Sequence, residues 1–347
     1  MGEYTDILGR EDFKNRMRYI VAKDKLAHAY ILNGEEGIGK KTMARILSMT
    51  INCDTVREKV DAGNAAPEDI VACKTCHSCI QASSDNNPDI IFISPEDDKR
   101  SISVDDIRKK LVEDAAIKPY KAKYKIYIID RADTMTVEAQ NAMLKTLEEP
   151  PAYIIIILLT SSEAKLLDTI RSRCESYEIP AVDSATVEKY LKGCCPDSTE
   201  EEIKFAVKFA DGRIGKGICV LTDEDFQKVK DVFIEIMVNI QTLSMNEINR
   251  HIRTLAGLKD TQIDAFFDLL ELWFKDILLF ETTRDANGVV FKEYLPKIDK
   301  QSQNLTYGEL DEINKAIEKA RERLKAAVSF DIAMQMLFMT IREKIIG

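Results

Sequence analysis

NGEEGIGKKT, residues 33–42, decides how the rest of the chain is read. Gly34, Gly37 and Gly39 precede Lys40 in the spacing of a phosphate-binding loop, G-x-x-x-x-G-K. Such a loop surrounds phosphates with backbone N–H groups and a helix N-terminus, while the lysine reaches the β and γ oxygens. The apolar run AYILN before the loop and the helix-like TMARILSMTI after it supply the strand and helix it needs. The pattern next wants Ser or Thr, whose hydroxyl ligates Mg²⁺, but Lys41 stands there and the hydroxyl arrives one place later at Thr42. That step turns the hydroxyl about 100° around a helix, away from the metal.

Outward from the loop, short β-branched runs recur: DIIFIS (89–94), KIYIID (125–130) and YIIIILLT (153–160). Runs of this kind suit strands buried on both faces. Between them lie the helix-like SVDDIRKKLVEDA (103–115) and TVEAQNAMLKTLEE (136–149), the latter stopped by Pro150-Pro151. Strands alternating with helices predict a parallel sheet covered on both sides. KIYIID ends in Asp130, where an ATPase places the carboxylate that orients metal-bound water. The Glu that often follows to activate the attacking water is replaced by Arg131, which cannot accept a proton. Phosphate binding is compatible with these residues; hydrolysis is not expected.

From about residue 182 the strand signal ends. Two or three short helical segments are expected over 184–221, then a third, helical region from 223. Within it Phe226, Val229, Val232, Phe233 and Ile236 recur at helical spacing. IDAFFDLLELWFKDILLF (263–280) is apolar on most of its circumference and reads as a buried helix. FDIAMQMLFMTIREKII (330–346) resembles it, with Met334, Met336 and Met339 expected as core filler. Residues 285–304 read as a long loop.

At 347 residues, 45% apolar and 31% charged, the chain has the composition of a soluble globular protein of two or three domains. Its net charge of −10 argues against coating nucleic acid unaided, though not against touching DNA within a complex. No apolar run spans a bilayer. MGEYTDILGRED lacks a signal-peptide layout, and Asp6 stands where myristoylation wants Ser or Thr, so a cytoplasmic location is expected. There, eight cysteines point to metal or reduced thiols rather than disulfides.

Cys53, Cys73, Cys76 and Cys79 form C-x19-C-x2-C-x2-C. That spacing suits a tetrahedral, closed and therefore structural Zn²⁺ site; scattered buried thiols are the alternative. His77 lies inside the cluster but is not needed by a metal with four thiolates. Cys174, Cys194, Cys195 and Cys219 show no ligand pattern, and the adjacent Cys194-Cys195 reads as a pair of small loop residues.

The glycine loop, the cysteine module and the stretch from KIYIIDRADTM to TIRSRC (125–174) together resemble the bacterial clamp-loader AAA+ proteins, which open the sliding clamp and place it on primed DNA. NAMLKTLEEPP and TIRSRC are the most specific segments; AHAYILNGEEGIGK and NPDIIFI also fit. The resemblance is strong over about 5–220 and looser at AAVSFDIAMQMLF. It implies a RecA-like AAA+ domain over 1–180 with a zinc module at about 53–79, a helical lid over 181–222, and a helical collar over 223–347 that packs with other subunits.

Motor (gamma/tau) members of that family keep Ser or Thr after the loop lysine and Asp-Glu on the strand. This sequence departs from both, and its length leaves no room for the extra C-terminal domains of the long motor form. The resemblance therefore implies a largely ATPase-inactive post in a hetero-oligomeric ring with motor and delta subunits. Through that complex it would reach the clamp and primed DNA; it would have no polymerase site of its own and no membrane partner. In Ser172-Arg173-Cys174 the family supplies an arginine finger to the neighbour, so Arg173 takes that role. A surface arginine, or a salt bridge with Glu175, is the alternative. Thr160 or Ser161 takes the place of the residue sensing the γ-phosphate, and Lys216 stands near the lid arginine of motor subunits; a solvated loop lysine fits equally. Lys145 faces DNA in the ring centre or solvent. Gly34, Gly37, Gly39, Lys40, Lys41, Thr42, Asp130, Thr160 and Lys216 thus form a degenerate ATP or ADP site. An active motor of the same family and a zinc-dependent DNA-binding protein are the competing functions.

Overall fold

A computed structural model describes residues 7–346 apart from 8, 85, 97–100, 287 and 327. Of MGEYTDILGRED, where a leader or lipid signal would lie, residues 1–6 and 8 are outside the described residues. The chain divides into two compact units: Met1–Val187 with Gly212–Gly215, and Glu188–Asp211 with Lys216–Gly347.

The first unit runs α1 (Glu11–Ala22), β1 (Ala29–Asn33), α2 (Lys40–Ile51), α3 (Asp54–Asp61), α4 (His77–Ser83), β2 (Ile90–Ile93), α5 (Val104–Ile107), β3 (Lys125–Ile129), α6 (Val137–Glu148), β4 (Ile154–Thr160), α7 (Asp168–Arg171) and β5 (Glu175–Glu178). These strands form one five-stranded parallel sheet in the order β2-β3-β4-β1-β5. All seven residues of β4 are buried, which explains its unbroken apolar run. Alternate residues serve opposite layers. Tyr30, Leu32, Ile155, Ile157 and Leu159 join a core with α1, α2 and the cysteine module. Ala29, Ile31, Ile154, Ile156 and Leu158 join a second core with α5 and α6.

Local chemistry sets the helix ends. Thr136 caps α6 through a hydrogen bond from Ala139 N at 3.2 Å, and Glu149 leads into the two prolines that stop it. Ser103 and Asp106 form a capping box for α5, which continues as a wider π-helical turn over Arg108–Glu113. The sheet also holds a strand absent from the reading above. Glu175–Glu178 is mostly exposed and polar, and becomes a strand by pairing with β1, Tyr30 opposite Glu175.

Helices α8 (Ser184–Cys194) and α10 (Ile214–Thr222) each begin in the first unit and continue in the second; α9 (Glu200–Ala210) lies in the second. There follow α11 (Glu224–Asn239), α12 (Met245–Ala256), α13 (Asp260–Thr283), α14 (Leu295–Ser302), α15 (Tyr307–Lys325) and α16 (Phe330–Ile346). The core forms around buried Trp273, whose indole N–H donates to Gln301 Oε1 at 2.8 Å, while Gln301 Nε2 donates to Met237 O at 2.9 Å.

Two expectations for this region are corrected. Residues 285–304 are not a plain loop: they contain a 3-10 turn, Lys292–Tyr294, and α14, because Phe291, Ile298 and Leu305 are drawn into the core. Of the three methionines on α16 only Met334 is buried; Met336 and Met339 are 46% and 54% exposed. The core-facing stripe is Ala333, Met334, Leu337, Phe338 and Ile341, and Met336 and Met339 lie off it. Among the described residues no helix is long and apolar enough to cross a membrane.

Candidate functional site

The glycine loop leaves the end of β1 and enters α2. Gly34 N donates to Thr160 O at 3.1 Å, tying the start of the loop to the end of β4. A Cβ on Gly34 would stand 2.7 Å from Ile179 O, so a side chain is excluded there. Gly37 and Gly39 have φ of +79° and +101°, the left-handed region where glycine carries no steric penalty. These turns aim the loop at the N-terminus of α2, which begins at Lys40. Lys40 Nζ folds back on the loop, donating to Gly34 O and, at 2.9 Å, to Glu35 O. Burial pushes its ammonium pKa down, against the opposing pull of Glu36, Asp130, Asp133 and Glu35.

Lys41, in the place of the metal-binding hydroxyl, points its Nζ to Asp130 Oδ2 at 3.4 Å. It also lies 5.8 Å from the centroid of the Phe92 ring. Thr42 is exposed. Beyond Asp130, Arg131 adopts φ +55° and starts a short turn in which Thr134 N and Oγ1 both donate to its carbonyl, at 2.9 and 2.8 Å. Asp133 is fully engaged: Ser161 donates to it from N and Oγ at 3.4 and 3.0 Å, and Lys165 pairs with it at 3.5 Å. Thr160 is buried, and its Oγ1 accepts from Ser162 N at 3.0 Å. The loop thus has cradle geometry and an ammonium next to the strand-end carboxylate.

Three further residues shape the loop and escaped the sequence reading. Arg10 donates to Ile38 O at 2.9 Å and to Pro180 O at 3.2 Å. Gly215 N donates to Gly37 O at 2.8 Å, and Arg213 pairs with Glu35 at 3.0 Å. All three lie far from the loop in sequence. No pattern in the sequence ties Arg10, Arg213 or Gly215 to the loop.

The four cysteines Cys53, Cys73, Cys76 and Cys79 come together with their sulfurs all within 4.8 Å of one another. Four sulfurs about 2.3 Å from a tetrahedral metal are about 3.8 Å apart, so the cluster could hold a metal ion. Cys53 and Cys79 are fully buried, and Cys73 and Cys76 are half-buried. Lys74, at φ +61°, folds the C-x2-C turn back on itself. Backbone donors already face the sulfurs: Cys73 N to Cys53 Sγ and Cys76 N to Cys73 Sγ, both at 3.3 Å, and Cys79 N to Cys76 Sγ at 3.5 Å. The Cys53 thiol is pushed down, first by the hydrogen bond from Cys79 and then, against burial, by the Cys73 N–H. That same contact and burial drive the Cys79 thiol up. His77 is exposed and stands outside the cluster.

The remaining cysteines stay apart from that set. Cys194 and Cys195 sit 3.5 Å apart at the end of α8, Cys219 Sγ donates to Asp223 at 3.5 Å, and burial pushes the Cys174 thiol up to about 12.

Arg173 follows α7 and is 35% exposed. It is held by Thr169 O at 2.8 Å and by Glu148 Oε1 at 2.9 Å; Glu175, the partner considered above, instead accepts from the Tyr177 hydroxyl at 3.0 Å. Lys145 is exposed on α6. Lys216 pairs with Asp268 inside the second unit, where Arg321 also donates to Asp268 at 2.8 Å.

A family model described as DNA polymerase III, delta subunit, matches residues 9–183, a span that contains the loop, the four cysteines, Asp130 and Arg173. The chain belongs to this family. DNA polymerase III subunit tau of Bacillus subtilis is 25% identical over 364 aligned positions, which cover 97% of this chain and 62% of that protein. DNA polymerase III subunit gamma/tau of Mycoplasma genitalium is 27% identical, covering 90% of this chain and 48% of its own length. The chain therefore spans between about half and three-fifths of these curated relatives. Among solved structures, a DNA polymerase III gamma subunit-related protein from Thermotoga maritima covers 96% of this chain and 99% of its own, with TM-score 0.43 and 18% identity.

Proposed function

We propose that this chain is a clamp-loader subunit of the delta-prime kind, an ATPase-inactive post in a ring with motor (gamma/tau) and delta subunits that loads the sliding clamp on primed DNA. One observation carries the reading. Lys41 occupies the place of the Mg²⁺-binding hydroxyl and pairs with Asp130 at 3.4 Å, the carboxylate a motor would use for its metal. Arg131 in place of the following glutamate supports it independently. The chain thus keeps the phosphate loop of a motor and lacks the groups that would activate water.

Its contribution to catalysis is Arg173, supplied in trans to a neighbour's nucleotide. A guanidinium placed there stabilises charge on the transferring γ-phosphoryl. Glu148 holds Arg173 at 2.9 Å in the single chain, a half-exposed pair that costs little to exchange for a phosphate. Zn²⁺ in the four-cysteine cluster is structural, since four thiolates leave no open coordination position. The first 180 residues serve as the AAA+ domain, residues 181–222 as the lid and 223–347 as the oligomerising collar, with Lys216 on the lid. Thr160 closes the nucleotide loop from β4.

The test is ATP turnover by the ring reconstituted with motor and delta subunits on primed DNA. Arg173→Ala should leave the chain folded and assembled and lower turnover at the adjoining site by about 10³-fold or more, the scale of an arginine finger. Unchanged turnover refutes the assignment. ATP turnover by the isolated chain, abolished by Lys40→Ala, refutes the inactive reading and makes the chain a motor.

A further inference from the structure

The loop family implies Mg²⁺, and the residues present do not fit it. The hydroxyl that should ligate the metal is absent at position 41, Thr42 is exposed, and the carboxylate of Asp130 already faces an ammonium at 3.4 Å. A divalent cation beside Asp130 would share the space with the charge of Lys41 and be repelled by it.

We infer that Lys41 takes the place of Mg²⁺, so that the loop holds the phosphates of a nucleoside diphosphate without a divalent cation. In a phosphate loop the metal links the phosphate oxygens to the strand-end carboxylate. An ammonium can make the same link, because it has three donors and Asp130 uses one direction only. The Lys41 side chain is 54% exposed, so beside Asp130 and the Phe92 ring its ammonium remains accessible to a further acceptor. The left-handed turns at Gly37 and Gly39 and the helix N-terminus at Lys40 supply the backbone donors. Lys40 is the second cation: its present acceptors, Gly34 O and Glu35 O, belong to the loop itself and are exchanged for phosphate oxygens on binding. Together the two ammonium groups offset most of the charge of a diphosphate. A tethered cation cannot be chelated or diluted away, and it lacks the bound water that a metal would orient. Nucleotide would be retained in such a site and left unhydrolysed.

The inference rests on reading residues 33–42 as a phosphate cradle, part of the function proposed above; it does not depend on Arg173 or on a place in a ring. The experiment titrates the full chain with fluorescent ADP, once in excess EDTA and once in Mg²⁺, and follows turnover of added ATP in parallel samples. The expected result is equal affinity under both conditions. Lys41→Thr, which restores the hydroxyl, should weaken binding in EDTA by about tenfold, the scale of one charge-assisted hydrogen bond, and recover when Mg²⁺ is added. Lys41→Met should weaken binding under both conditions and not recover.

Tighter binding of the unaltered chain in Mg²⁺ overturns the inference. Binding by Lys41→Thr alone also overturns it, because the lysine then blocks the site rather than completing it. If no chain binds ADP, the inference falls while the ATPase-inactive reading stands. Turnover in any unaltered sample overturns that reading separately.

Discussion

The cysteine cluster and the phosphate loop are both turns that precede a helix in the same α/β unit, and they are completed in opposite ways. The cluster draws all its chemistry from cysteines spaced along one segment, with their sulfurs within 4.8 Å and backbone N–H groups already facing them. The loop carries its glycines and Lys40 locally, but its electrostatic character depends on Asp130, which arrives at the end of β3. Local spacing is sufficient where a metal can gather the ligands, and insufficient where one side chain must meet a partner from another strand.

The largest effect should come from the cluster. If the cluster holds zinc as proposed, Cys53→Ser removes a fully buried thiolate ligand, and structural zinc sites contribute on the order of 10 kcal/mol to folding of the segment they hold. Elemental analysis should fall from one zinc per chain to none, and limited proteolysis should open the segment around residues 53–83. A folded protein that keeps its zinc without Cys53 would show that the cluster does not depend on all four thiolates.

Gly34→Ala tests whether the loop is as tightly set as the cluster. The added Cβ would lie 2.7 Å from Ile179 O, a backbone atom that cannot swing away. A loss of about 1–3 kcal/mol is expected in chemical denaturation. A neutral outcome would mean that the loop yields where the cluster cannot.

Asp130→Asn should have the smallest effect on stability. Lys41 is half-exposed, so its ion pair contributes at most about 1 kcal/mol and is screened by salt. A thermal melt should barely move. A marked drop would show that the pair is structural, and would bring the two regions closer in character than their geometry suggests.

Much of this arrangement was legible in the sequence, for reasons that differ from element to element. Strands β1 to β4 announced themselves because most of their residues are apolar and serve cores on both faces of the sheet, β4 along its whole length. Strand β5 did not: Glu175–Glu178 is polar at the sheet edge, and only its pairing with β1 makes it a strand. Helix α14 was hidden because its buried face includes the polar Gln301, bonded to Trp273 and Met237 in the core, and Ser302, bonded to Asp299 O of its own helix. The methionines of α16 misled in the opposite direction, since an apolar residue at roughly helical spacing need not lie on the stripe that faces the core.

The candidate sites divide in the same manner. From the sequence alone came the glycine pattern of the loop, the four-cysteine spacing that the fold brings together, and the absence of a hydroxyl at position 41, because each is a matter of residue type at fixed spacing. Only the tertiary structure decided that Lys41 faces Asp130, that Arg173 is held by Glu148 rather than Glu175, and that Arg10, Arg213 and Gly215 brace the loop. Those contacts join residues distant along the chain, and sequence spacing carries no record of which side chains the packing of strands and helices will bring within a few ångströms.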